Sequence, residues 1–151
     1  MIQKLKNQGD ILFSILNTTY EFLGVKGGEE MIKEWCYYVA EHGLWNGIID
    51  AEKKGGLKGI KKFWDDFLKA EGMPSTHCIT KIKGDKFIME IKKCHSQETV
   101  KKIGAKLYGN ACLHCLYICE KMAELINYDL KFEYEPKKGK CIRIWQKKKE
   151  D

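Results

Sequence analysis

Apolar residues recur at three- and four-residue spacing through the first part of the chain, and then the pattern changes to alternation. Ile11, Leu12, Ile15, Leu16, Thr19, Phe22 and Leu23 keep the helical spacing, Asp10 stands where an N-cap belongs, and Gly24 stands where a helix would stop. After a break over 24–28, Met31, Ile32, Trp35, Cys36, Val39 and Ala40 mark a second helix over about 29–42, with acids at its start and Gly43 at its end. A short helix over 44–54 follows. Past Gly55 and Gly56, Leu57, Ile60, Phe63, Trp64, Phe67 and Leu68 form a further amphipathic face over 57–70. This helical half covers about residues 10–71.

Gly72, Pro74 and Ser75 mark the change of period. Residues 77–82 and 86–92 read as strands joined by a turn at Gly84 and Asp85, with Phe87, Met89 and Ile91 alternating against polar neighbours. Cys94 ends the second strand. Ser96 is placed to cap a helix over 97–107, and Gly109 and Asn110 separate it from another over about 111–126. Leu130, Phe132 and Tyr134 then alternate with Lys131, Glu133 and Glu135, and a turn over 136–140 leads into a last strand over 141–145. Helices followed by β-β-α-α-β-β predict one α+β domain over residues 1–151, with a mostly antiparallel sheet covered by helices on one face. Its sheet and cysteine-bearing helix occupy about 77–146.

At 151 residues the core needs no covalent staples. There is no run of 18 apolar residues and no apolar leader near Met1, so a soluble cytoplasmic protein without membrane attachment is expected. The net charge is +6, yet of 27 basic residues only Arg143 is an arginine. Base and phosphate recognition favours arginine, so nucleic acid is not an expected partner. The densest basic cluster, Lys137, Lys138, Lys140, Arg143, Lys147, Lys148 and Lys149, is a candidate anion-binding face. Oligomerisation is left open.

The cysteines change the picture more. Seven is an odd number, and a reducing compartment keeps thiols free, so metal binding, catalysis or burial must explain them. Cys36 falls on a core stripe. His77 and Cys78 point to opposite faces of one strand and cannot share a site. Five of the seven, Cys94, Cys112, Cys115, Cys119 and Cys141, lie where a strand, a helix and a second strand meet. On a helix Cys112, Cys115 and Cys119 fall within an arc of roughly 60°, with His114 on the far side. Cys112 and Cys119 are about 10 Å apart along the axis, too far to share one zinc, whereas Cys115 can pair with either. A zinc held by Cys94, Cys141, Cys115 and one neighbour is the first metal candidate, and an iron–sulfur cluster is the alternative. Cys94 is also a candidate nucleophile, because the helix after it would favour its thiolate. Trp35, Tyr38, Trp45 and Trp64 are candidates for lining a ligand pocket.

The strand-end Cys94, the cysteine-bearing helix, the acidic alternating strand over 131–135 and the turn through Lys138, Gly139 and Lys140 into Cys141 resemble two related groups. One is the 4-vinyl reductase domain, a small-molecule sensor module; the other is the family named for L-2-amino-thiazoline-4-carboxylate hydrolase. The resemblance implies an α+β pocket between helices and sheet. In vinyl-reductase-like members it implies a zinc held by late cysteines, here Cys94, Cys115 and Cys141, with Cys112 next. Two expectations follow. The first is a non-catalytic domain holding a small molecule or a metal cofactor in a cysteine-lined pocket. The second is a hydrolase opening a thiazoline-like ring through Cys94 or a thiolate-bound metal.

Overall fold

The computed structural model describes residues 8–109 and 112–149. Helix α1, Gln8–His42, is broken at Gly28, whose φ of 67° only glycine adopts without strain. Its inner face buries Phe13, Leu16 and Tyr20 before the break and Ile32, Cys36 and Ala40 after it. Gly24 does not end the helix as its composition suggests. A Cβ there would lie 1.8 Å from the Tyr108 hydroxyl, so this glycine admits a ring from another segment. A 3-10 turn, Leu44–Gly47, leads into α2, Ile48–Ala70, which is broken at Gly56 in the same left-handed way.

The second half opens with β1, Cys78–Lys83, and β2, Lys86–Ile91. Helix α3, His95–Lys102, begins two residues earlier than its cap residue Ser96 suggests, with Cys94 at the N-cap. It ends well short of Leu107. Residues 105–108 instead lie against α1, where Asn17 donates to the Lys106 carbonyl at 3.0 Å and accepts from the Tyr108 amide at 3.1 Å. Asn110 and Ala111, expected at the start of the next helix, fall outside the described residues. Helix α4 is Cys112–Leu125, and β3, Tyr128–Glu135, and β4, Lys140–Lys147, close the fold.

All three strand pairings are antiparallel and the order is β1-β2-β4-β3, so β4 lies between the two hairpins. This is the α+β fold that the alternating pattern implies. Register places Phe87, Met89 and Ile91 opposite Trp145, Arg143 and Cys141, and Leu130, Phe132 and Tyr134 opposite the same three. Because side chains alternate, these residues share the face that meets the helices. Phe87, Met89 and Trp145 are fully buried there beneath α2 and α4. No helix among the described residues is long and apolar enough to cross a membrane.

Candidate functional site

Between this sheet face, the start of α1, the end of α2 and one side of α4 lies a cavity of about 80 Å³. Its walls are largely apolar: Phe13 and Leu16 from α1, Trp64, Phe67 and Leu68 from α2, and Ile118 from α4. Into it open four thiols, Cys94, Cys115, Cys119 and Cys141, together with Glu71, His95, His114 and Arg143. A smaller hollow of about 20 Å³ has Cys94, Cys115, Cys141 and Arg143 in its wall and adds Cys112. The five cysteines that the sequence singles out therefore converge, and all are free thiols. Cys36 is fully buried in the core, as its stripe implies, and Cys78 is half-buried on β1.

The centre of the cluster is a cation. Arg143 is only 9 % exposed, and its Nη1 lies 3.6 Å from the Cys119 sulfur. It also hydrogen-bonds Cys141, while its guanidinium carbon sits 5.1 Å from the centre of the Phe132 ring and 5.9 Å from that of Trp64. Arg143 thus does not belong to the basic tail, whose lysines 137, 138, 140, 147, 148 and 149 are all exposed. Strict alternation in β4 puts it on the inner face with Cys141 and Trp145. That pattern was the available signal, and the surrounding lysines hide it.

Burial governs the thiols. It pushes Cys119 up to about 12, against the opposing pull of Arg143, and it raises Cys141 in the same way. Cys112 is pushed to about 12 and Cys94 to about 11. For Cys94 burial works against the favoured thiolate that the helix after it would supply. The backbone at Gln97 does hydrogen-bond the sulfur and lowers its pKa, but desolvation is the larger effect. Glu71, only 7 % exposed, is pushed up to about 8 by burial and by charge at Cys115, with Arg143 opposing. It therefore enters the cavity mostly as a neutral acid at pH 7.

His114 corrects the helical-wheel argument that set it apart from the thiols. The buried arc of α4 runs from His114 through Ile118 to Cys119 and Met122, wide enough to include both groups. The imidazole stacks on Tyr20 with ring centres 4.5 Å apart, and its Nε2 is 3.2 Å from the Cys115 sulfur. The signal was the four-residue row 114, 118, 122, two of whose members are plainly apolar. Glu71, at the end of α2, had no such signal. Of the four aromatics proposed as pocket walls, Trp45 and Trp64 line the cavity. Trp35 packs edge-on against Tyr20, and Tyr38 is 65 % exposed.

The metal expectation is not met as geometry. Among the described residues no group of three or more His, Cys, Asp or Glu side chains is placed to hold an ion. Cys94, Cys112, Cys115, Cys119 and Cys141 come together around a guanidinium rather than around an empty coordination centre. A permanent cation at the centre of the cluster disfavours a second cation at the same point. These residues as placed do not fit the zinc site that the resemblance implies.

What the arrangement offers chemically is an apolar chamber with one fixed cation, one neutral acid and one thiol–imidazole pair. No protein-family model, no curated protein and no solved structure matches the chain.

Proposed function

We propose that the protein is a binding module for a small molecule, held in the cavity between α1, α2, α4 and the sheet. The observation that carries this reading is the cavity itself, about 80 Å³ of largely apolar space with a few convergent polar groups. At about 15 Å³ per water it has room for roughly five waters, and a ring-sized ligand requires the apolar walls to give. The reading agrees with the pocket that the resemblance to the 4-vinyl reductase domain implies. Benzyl alcohol is a suitable probe, followed by thermal denaturation and by the indole NMR signals of Trp45 and Trp64. A saturable rise in Tm that disappears in Ile118→Trp, where a larger ring fills the space, supports the reading. Unmoved indole signals at millimolar probe would sink it.

A second reading is favoured by the contact of 3.2 Å between Cys115 and His114. Thiol and imidazole within hydrogen-bonding reach are the components of an activated nucleophile. If the chain opens a thiazoline-like ring, the thiol that does so is Cys115 rather than Cys94, which burial keeps protonated. Turnover of such a substrate lost in Cys115→Ser and retained in Cys94→Ser is the expected result. The reverse would return the role to Cys94. Zinc or an iron–sulfur cluster is a separate proposal that would require the converging thiols to rearrange away from Arg143, and metal analysis of anaerobically purified protein tests it.

A further inference from the structure

We propose that the cavity selects a small monoanion with an apolar body, a carboxylate on a ring or short hydrocarbon, and that Arg143 binds its carboxylate; this rests on the cavity being a ligand site. The argument starts from what Arg143 lacks. Its guanidinium is buried at the middle of the sheet, with Met89 and Phe132 as cross-strand neighbours. Its Nε has no hydrogen-bond partner, and the rest of the fork meets only thiols, which are weak acceptors: Cys119 from Nη1 at 3.6 Å, and Cys141. Among the described residues it forms no ion pair with a carboxylate. Buried charges are ordinarily paired, and an unsatisfied buried donor calls for an explanation. A carboxylate ligand supplies one, since two oxygens match the planar fork of a guanidinium.

The rest of the chamber narrows the class. Among the described residues Arg143 is the only arginine or lysine in its wall, so one negative charge is matched and a phosphate dianion is not. Phe13, Leu16, Phe67 and Ile118 offer apolar contact to the remainder of the ligand, and Trp64 adds a ring whose buried indole N–H has no hydrogen-bond partner. Glu71, neutral at pH 7, can donate a hydrogen bond without repelling the anion.

Benzoate and its neutral isostere benzamide separate the possibilities. In the wild-type chain benzoate is expected to bind about tenfold more tightly than benzamide, the difference between a charge-assisted and a neutral hydrogen bond. Arg143 is the only arginine in the chain, so its Nε–Hε correlation is a unique NMR signal, and it should shift with benzoate. In Arg143→Met the preference should vanish while benzamide still binds. Equal affinities with an unmoved Nε–Hε signal overturn the anion assignment and leave the pocket reading intact. Binding of neither probe, with the Trp45 and Trp64 signals unmoved, overturns both. The wild-type measurements decide the matter even if the methionine variant fails to fold.

Discussion

At the seam between α1 and α3 the Asp10 carboxylate is 2 % exposed and fully served: Lys102 Nζ donates to it at 2.6 Å and Thr99 Oγ1 at 3.0 Å. On β4 the Arg143 guanidinium is buried nearly as deeply and meets two thiols and two aromatic rings. The carboxyl that shares its cavity, Glu71, is held neutral by burial instead of being ionised by the cation. His95 lies between the two regions, with Nε2 3.9 Å from Asp10 and a hydrogen bond to the Glu71 backbone. The contrast separates two uses of buried charge. A charge matched within the chain holds elements together, whereas a charge left unmatched raises the energy of the empty protein and makes a binding partner of the right sign favourable.

The sharpest way to break this comparison is to change pH. The Glu71 carboxyl is at about 8 in the folded protein against an ordinary 4.5, so between these values the folded state holds a proton that the unfolded chain has lost. Its contribution is fully present below pH 4.5 and disappears as pH rises towards 8. Stability should fall across that window with a limiting slope of about 1.4 kcal/mol per pH unit from this group. Urea titrations from pH 5 to 8 should show the slope in the wild type and lose it in Glu71→Gln. An unchanged slope would mean that Glu71 ionises freely and that the two regions are less different than described.

Asp10→Ala comes next. It strands the buried Thr99 hydroxyl and should cost about 2 kcal/mol by chemical denaturation; Lys102, which reaches solvent, adds little. Arg143→Met should by contrast leave stability within about 1 kcal/mol of wild type or raise it, because an apolar side chain replaces an uncompensated ion. A loss as large as that of Asp10→Ala would show that Arg143 is as structural as Asp10. Smallest of all, Lys62→Ala removes an ion pair with Asp66 in which both side chains are mostly in water. Its effect on unfolding free energy by chemical denaturation should stay within about 0.5 kcal/mol.

Much of the fold was legible because burial writes its period into the chain. The alternation at Phe87, Met89 and Ile91, and again at Leu130, Phe132 and Tyr134, gives strands whose inner faces the register confirms. Breaks at glycine were legible too, although Gly24 shows that a glycine can serve a neighbour's ring rather than a turn. The convergence of the five cysteines also followed from strand ends and one helix. What stood at their centre did not follow, because Arg143 is read by composition as part of a lysine-rich tail and only by strand parity as an inward residue. His114 was misplaced because an arc drawn through three thiols is narrower than the arc that α4 buries. Glu71 depends on the end of α2 meeting the sheet, a tertiary fact without a local pattern.

The polar ties of α1 have a consequence for how the chain folds. Asp10 to Thr99, Asn17 to Lys106 and Tyr108, Glu29 to Tyr117 and Tyr37 to Glu120 join residues 83 to 91 positions apart. During synthesis the first helix therefore has to wait for α3 and α4 before its inner face is covered. These ties predict that the helical half and the sheet half unfold as one cooperative unit. Amides in α1 should gain their slow hydrogen exchange together with those of α4, and neither half should hold its structure as a separate fragment.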